Sequence, residues 1–484
     1  MTRPLWTSDE IREATGGKVT APFEVTGVSI DTRTMEPGDL FVALKDQRDG
    51  HDFVANAFEA GAGAALVSRE IEGVEGPLII VDDVMDAIEA MGVFARDRAT
   101  GCHRVAVTGS VGKTSVKEMI ARMFRAGGHA HWSVKSFNNH WGVPLTLARM
   151  PAETEYAVFE IGMSTPGEIA PRSQMVQPHT ALVTKIAPAH LEGMGSIEGV
   201  AREKADIFAG LQPGGAIILP HEDAFCALMK EIALRHQPGA EVYTFGRSED
   251  ASARVELYRT DGDRSVIGVK ALATFWEARI NTVGEHWAEN VAAAILAACV
   301  GSGISFHIAE EALWGYAPPP GRGTSEELPL PRGGSMILVD DAYNANPESM
   351  RAALSSFAAR PGNRHIVALG EMLEVGSASE TEHCSLADPV LESGATLAFL
   401  AGEGMKPLAD SLKGRIETHW AVKAKELETV VKNSLTNGDL LLIKGSNASG
   451  MGQLADRLRQ WSKAADEQVM DRGPEGAAGG ADAV

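Results

Sequence analysis

The stretch Arg104-Val-Ala-Val-Thr-Gly-Ser-Val-Gly-Lys-Thr-Ser115 constrains this chain more than any other. An apolar run of strand length meets two glycines and then opens a helical segment, the order strand, tight loop, helix. Gly109 and Gly112 let backbone N–H groups turn inward without a Cβ clash. The helix N-terminus then directs roughly half a positive charge at whatever the loop holds. Within Gly109-Ser110-Val111-Gly112-Lys113-Thr114-Ser115, Lys113 can reach the β- and γ-phosphates of a nucleotide and Thr114 can offer a hydroxyl to Mg²⁺. Val107 stands where the first glycine of GxxxxGK[ST] belongs, so the pattern is incomplete. A bare strand-to-helix turn with an exposed lysine is the alternative, but GKTS between a strand and a helix favours ATP or GTP. The motif says nothing about the reaction.

A nucleotide site on this chain works against the overall field. Asp and Glu number 65 against 44 Lys and Arg, a net charge of −21. Such a surface repels nucleic-acid backbones and anionic membranes, so no nucleic acid is expected as partner and an anionic ligand needs a concentrated site. The four cysteines, Cys102, Cys226, Cys299 and Cys384, lie far apart without a CxxC pair. That is neither a disulfide framework nor a zinc site, and it fits a reducing cytoplasm. The N-terminus carries acids where a signal peptide has an apolar core, and the apolar run from Val291 to Ile304 is too short to span a bilayer. A cytoplasmic monomer without stable membrane insertion is the expectation.

At about 150 residues per domain, the length of 484 suggests three domains. The 44% hydrophobic and 23% charged content gives each enough apolar material for a core. Short apolar runs alternating with helical stretches indicate an α/β chain. A first unit spans residues 1–100 and contains the strand-like Gly38-Asp-Leu-Phe-Val-Ala-Leu-Lys45. A central unit, 101–318, holds the phosphate loop on a mostly parallel P-loop-type sheet and continues past the Ala-rich helix His286 to Cys299. The Pro-rich Ala317 to Gly323 marks a linker. In the third unit, 319–465, four apolar strands each run into a polar or glycine turn: Met336 to Asp341, His365 to Gly370, Thr396 to Gly402 and Leu440 to Gly445. Their helix-length spacing predicts a Rossmann-like doubly wound sheet. Residues 466–484 have too few apolar residues to pack and read as a disordered tail.

Ligands of open parallel sheets gather beyond the carboxyl ends of the strands. Glu160 ends the apolar run beginning at Tyr156, and His190 follows the run beginning at Thr180. Either could hold the Mg²⁺ of a nucleotide; equally, Glu160 could belong to a buried ion pair and His190 could cap a helix. Lys204, in a helical segment, reads by itself as an ordinary surface lysine.

Taken in order, Thr108-Gly-Ser-Val-Gly-Lys-Thr-Ser115, Glu160-Ile-Gly-Met163, His190-Leu-Glu192 with Lys204 beyond, Gly284-Glu-His-Trp-Ala-Glu-Asn290, Gly321-Arg322 and Asp340-Asp-Ala-Tyr-Asn-Ala-Asn346 resemble the Mur ligases, ATP-dependent amide-forming enzymes of peptidoglycan precursor synthesis. The likeness covers almost the whole chain except its tail. Ser136-Phe-Asn-Asn-His-Trp-Gly-Val-Pro and the run Asp-Asp-Ala-Tyr-Asn-Ala-Asn-Pro resemble most the members that act on UDP-N-acetylmuramoyl-tripeptide and D-alanyl-D-alanine. So does Val28-Ser-Ile-Asp-Thr-Arg33 followed by Gly38 to Lys45.

The resemblance implies a UDP-sugar site in the first domain at Ser29, Asp31, Arg33, Lys45, Asp49, Gly50 and His51, joined by Asn138 and Asn139. It implies ATP contacts from Asn290, Arg322, Asp341, Asn344 and Asn346 beside the phosphate loop, and the incoming dipeptide on the third domain. It makes Lys113, His190, Lys204 and Arg322 catalytic, and Thr114, Glu160, His190 and Lys204 the holders of two Mg²⁺ ions, Lys204 as a carbamate. Trp287 departs from the Gly-x-His-Asn-x-x-Asn pattern, so only Asn290 is carried over.

The implied chemistry is an acyl phosphate on the tripeptide carboxylate, then attack by the dipeptide amine, with no protein nucleophile. Rival readings are another Mur-type ligase, a folylpolyglutamate-type ligase, which lacks the UDP-sugar domain, and a nucleotide-binding regulator without catalysis.

Overall fold

The computed structural model describes residues 3–134, 136–188, 191–373 and 375–471. Among the described residues, three larger sheets, each with helices packed on it, follow one another along the chain, and a two-stranded antiparallel pair, Trp6–Thr7 with Glu24–Val25, accompanies the first.

The N-terminal sheet has five strands in the order Lys18–Val19, Leu78–Ile80, Ala64–Val67, Asp39–Val42 and Gly27–Ser29. All neighbours are parallel except the first pair. Gly27–Ser29 and Asp39–Val42 run side by side, with Ser29 opposite Phe41. The loops leaving them, which carry residues 30–34 and 44–51, therefore emerge at one edge.

The central sheet has nine strands. Seven are parallel, with His103–Thr108 between Tyr156–Glu160 and Thr180–Val183. An antiparallel extension, Arg264–Ala271 and Thr274–Ile280, closes one side. Alternation along the phosphate-loop strand sorts its side chains between two cores. Val105 and Val107 face helix Lys113–Gly127, while Ala106 joins the opposite cluster with Ala157 and Phe159. The helix presents Val116, Met119, Ile120, Met123 and Phe124 at helical spacing, all buried, and stops at the Gly127-Gly128 pair. Helix His286–Cys299, buried almost all round, packs against it. The alanines there let two helices and the sheet approach closely.

The C-terminal sheet orders six strands as Thr324–Pro329, Ser335–Asp341, Asp439–Lys444, Arg364–Gly370, Ala395–Ala401 and Glu417–Ala421. Only the first pair is antiparallel. Val367, Leu369 and Leu442 face one core and Ile366, Ala368 and Ile443 the other, so helices cover both faces, as the doubly wound reading requires. The last helix, Met451–Asp471, runs past residue 465, so 466–471 are helical rather than a loose tail; 472–484 lie outside the described residues.

No segment among the described residues forms a helix long and apolar enough to cross a membrane.

Candidate active site

A cavity of about 760 Å³ lies between the central and C-terminal sheets, at the carboxyl ends of their strands. The phosphate loop forms its floor. Gly109 has φ 147° and Gly112 φ 83°, conformations that favour glycine. A Cβ on Gly109 would lie 1.9 Å from Thr184 Oγ1, and one on Gly112 2.7 Å from Asn290 Oδ1. The loop is pinned from the neighbouring strand: Ser110 N–H donates to the Lys185 carbonyl at 2.8 Å, and Thr184 Oγ1 donates to the Val111 carbonyl at 2.5 Å. Lys113, first in the helix, folds back so that Nζ donates to the Gly109 carbonyl at 2.7 Å. Burial, with the nearby Arg322 cation adding to it and Glu160 opposing it, holds this ammonium below the usual lysine range.

Glu160 is buried at the end of its strand and has no ion-pair partner among the described residues; its carboxylate is satisfied by neutral donors instead. Thr114 Oγ1 donates to one oxygen at 2.7 Å and Asn138 Nδ2 to the other at 2.7 Å. Ser136 Oγ lies 3.0 Å from Thr114 Oγ1 and accepts from Arg322 Nη2 at 3.0 Å. The Arg322 guanidinium also stacks over the Tyr343 ring at 4.0 Å. A residue of the linker thus reaches the loop that the central sheet builds.

Lys204 is not the surface lysine that its helical segment suggested. Its side chain is buried on helix Ile197–Ala205 and lines the cavity, and among the described residues its ammonium has no hydrogen-bond or ion-pair partner. Loss of hydration, and then the Lys113 charge, push it well below the ordinary lysine range. The adjacent Glu203 opposes this; its carboxylate accepts from the N–H groups of Gly167, Glu168 and Ile169 at 2.7, 2.9 and 3.0 Å.

On the far wall, Asp341 pairs with buried Lys444 at 2.8 Å, and Lys444 also donates to the Asn344 carbonyl at 3.1 Å. Burial raises the Asp341 carboxyl although Lys444 works against it. Asn344 Oδ1 accepts from Ala345 N–H. The Asn346 side chain caps helix Pro347–Ala358 by accepting from Ser349 N–H at 2.8 Å. Asn290 projects beside Gly112, whereas Trp287 is buried in the core against Tyr316.

The structure therefore brings Ser110, Lys113, Thr114, Ser115, Glu160, Lys204, Asn290, Arg322, Asp341, Asn344 and Asn346 to one cavity. His190 lies outside the described residues. Asn138 and Asn139 line the same cavity, with Asn138 on Glu160 and Asn139 Oδ1 capping helix Gly142–Ala148 through Gly142 N–H at 2.9 Å.

The remaining expected residues gather elsewhere, at the edge of the N-terminal sheet. Arg33 grips Asp31 through two bonds of 2.9 and 2.6 Å, and Ser29 Oγ donates to the Asp31 carbonyl. Asp49 accepts from His51 N–H at 3.0 Å and from its Nδ1 at 2.6 Å. These bonds, and then Arg69, lower its carboxyl to about 2 against the opposing desolvation. His51 Nε2 accepts from Ser68 N–H at 2.9 Å, which fixes the tautomer with the proton on Nδ1. Gly50 is required by close packing, since a Cβ would fall 2.5 Å from the Leu44 carbonyl oxygen. Lys45 is exposed and bridges in the backbone to Asp49.

Sequence reasoning missed Ser136, Thr184, Lys185, Tyr343 and Lys444. Lys444 sits at the carboxyl end of a buried strand, so the rule that found Glu160 could have found it. Ser136 carries no such signal.

Among the described residues no three His, Cys, Asp or Glu side chains cluster as a metal cage. Glu160 and the Thr114 hydroxyl are hard oxygen donors beside a phosphate loop, and that suits Mg²⁺, which takes few protein ligands and completes its shell with phosphate and water.

Residues 107–298 match the family model of the Mur ligase middle domain, 331–447 that of the Mur ligase glutamate ligase domain, and 24–98 that of the Mur ligase family catalytic domain. The chain is 31% identical to the UDP-N-acetylmuramoyl-tripeptide–D-alanyl-D-alanine ligase of Rickettsia prowazekii, over 93% of this chain and 99% of that one. It is 33% identical to the same-named ligase of Bacillus subtilis, over 93% and 98%. The solved structure of MurF from Acinetobacter baumannii is similar in fold with a TM-score of 0.80 at 28% identity, over 94% of this chain and 99% of that one.

Proposed function

The chain belongs to the Mur ligase family, and from that premise we infer that it joins D-alanyl-D-alanine to UDP-N-acetylmuramoyl-tripeptide at the expense of ATP, a step of peptidoglycan precursor synthesis. The observation that carries the reading within the chain is the convergence of the phosphate loop, Glu160, Lys204 and Arg322 on one cavity. A nucleotide-binding regulator needs the loop alone and leaves the other three without a shared purpose.

A carboxylate oxygen is too poor a leaving group for direct amide formation. In the first step, an oxygen of the tripeptide carboxylate attacks the γ-phosphorus, the bond to the β–γ bridging oxygen breaks, and ADP leaves. In the second, the dipeptide amine attacks the acyl carbonyl and loses a proton, and inorganic phosphate leaves from the tetrahedral intermediate. No side chain needs to become covalently attached. The work of the protein is positioning and charge neutralisation. Lys113 faces the terminal phosphates, the loop N–H groups hold the chain of phosphates, and Arg322 brings a second cation from the linker. Thr114 and Glu160, with His190 and a carbamylated Lys204, are the residues for two Mg²⁺ ions, which when bound would screen the charge gathered between ATP and a carboxylate. A carbamate turns the Lys204 cation, which has no partner among the described residues, into an anion, which removes the conflict with Lys113 and supplies the ligand. The ATP base and ribose fall to Asn290, Asp341, Asn344 and Asn346.

The first unit takes the UDP-sugar at the edge formed by Ser29, Asp31, Arg33, Lys45 and Asp49 to His51. In a chain this acidic, Arg33 and Lys45 supply local cations for a diphosphate. The dipeptide enters from the third unit. One copy supplies both walls of the cavity, in keeping with a monomer, and four free cysteines accord with a cytoplasmic site. Phosphate release measured with ATP, Mg²⁺, UDP-N-acetylmuramoyl-tripeptide and D-alanyl-D-alanine, each omitted in turn, tests the whole reading. Release that needs all four supports it; release indifferent to the dipeptide or the UDP-substrate overturns it.

A further inference from the structure

Closing the third unit over ATP requires more than a hinge, because one contact leaves it free to swivel. Arg322 provides one contact, on Ser136. A second spans the same cleft: Lys185 Nζ lies 2.5 Å from Glu348 Oε1. Lys185 follows strand Thr180–Val183, and its carbonyl accepts from Ser110 N–H of the phosphate loop. Glu348 is in the first turn of helix Pro347–Ala358, whose start is fixed by the Asn346–Ser349 capping box. Both side chains thus project from backbone that is already held, and both line the cavity. Among the described residues this is the one ion pair that joins residues before the linker to residues after it.

We propose that Lys185 and Glu348 form an interdomain latch that fixes the third unit in its closed orientation over ATP, which makes both of them positioning residues. The inference rests on the ligase reading and goes beyond it, since neither residue is needed to bind phosphate or metal. Both side chains are partly exposed, 45% and 37%, so water and salt screen the pair and its effect is modest.

The test is a cycle of Lys185→Gln, Glu348→Gln and the double variant, read by phosphate release at varied ATP and by fluorescence energy transfer between labels on the central and third units. The latch predicts that each single variant raises KM for ATP about two- to fivefold and shifts the transfer signal toward the open arrangement. The double variant is no worse than either single one, because the pair is already broken. Added salt reduces the difference between wild type and variants. Three results overturn the latch: single variants equal to wild type in both readouts, losses that add in the double variant, or a loss confined to Lys185→Gln, which would make Lys185 a phosphate contact. Wild type that releases no phosphate would instead sink the ligase reading, and the transfer signal of Glu348→Gln against wild type would still decide the latch.

Discussion

Asn138 offers a test that separates two roles for one residue. The family resemblance put it at the UDP-substrate, whereas the fold places its amide on Glu160 at 2.7 Å. In Asn138→Ala the backbone stays in place, because Gly162 N–H still donates to the residue 138 carbonyl at 2.9 Å. Only the side-chain bond is lost. Glu160 is 1% exposed, so in the resting enzyme water is poorly placed to replace the missing donor. A hydrogen bond to a charged group contributes about 1.5–3 kcal/mol, equivalent to roughly ten- to 150-fold. Removing a partner that orients a metal ligand costs about ten- to 100-fold in metal affinity or activity, the same range. The assay is phosphate release against Mg²⁺ concentration with the three substrates saturating. The half-saturating Mg²⁺ is expected to rise about tenfold or more, while KM for the UDP-substrate stays within about twofold. An unchanged Mg²⁺ requirement with a raised KM for the UDP-substrate would refute the reasoning and return Asn138 to substrate binding.

Lys113→Ala is expected to lower turnover by about a hundred- to thousandfold while the circular dichroism spectrum and melting temperature hold, since its ammonium bonds only a loop carbonyl; near-wild-type turnover in the folded variant would remove its role. Lys204→Ala should lose activity that added short carboxylic acids partly restore, and wild-type protein in bicarbonate should show the mass of one added CO₂; a bare lysine there, with decarboxylation during handling excluded, counts against the carbamate. Asp49 titrates at about 2 in place of 3.8, so its carboxylate stabilises the fold above the ordinary value and stops doing so as the pH falls toward 2. The melting-temperature gap between wild type and Asp49→Asn should therefore be full above about pH 5 and narrow below about pH 4. A gap independent of pH would mean that the loop does not depend on that charge.

The elements legible in the sequence were those whose signal is local. Val105 to Thr108 and Leu440 to Ile443 are short apolar runs that each meet a glycine turn, the signature of a buried strand, and both are strands. The Ala-rich helix also lies where patterning puts it. Lys204 was illegible in isolation because its helical segment looks amphipathic, and burial there depends on a cavity assembled from other parts of the chain. Ser136 and the Lys185–Glu348 pair were illegible for the same reason: their meaning lies in a partner more than a hundred residues away. Motif order could supply Lys204 but gave Ser136 no role, since a serine in the loop between strand Ala130–Trp132 and helix Gly142–Ala148 says nothing of a partner that follows the linker.

The segment from Ser136 to Arg149 explains why the two ends of the molecule are attached so differently. Its first residues serve the cavity, Ser136 on Thr114 and Asn138 on Glu160. Its later ones belong to the N-terminal core, where Leu145 and Ala148 are buried with Phe137 and Trp141 against them. Trp6 donates to the Ala148 carbonyl at 2.7 Å and Arg149 to the Val28 carbonyl at 2.6 Å. An apolar core shared between two units resists sliding, because any rotation exposes packed surface to water. The C-terminal unit has cores of its own and meets the central unit beside the phosphate loop through the Arg322–Ser136 hydrogen bond and the Lys185–Glu348 ion pair. Such contacts exchange with water at little net cost. The N-terminal sheet edge proposed for the UDP-sugar and the phosphate loop are thus held to one another by a shared core, and in the proposed reading the third unit, which would bring the dipeptide, is the part that opens and closes. For a reaction that must form an acyl phosphate away from water and then admit an amine, that division assigns rigidity to the activating step and motion to the delivery of the nucleophile.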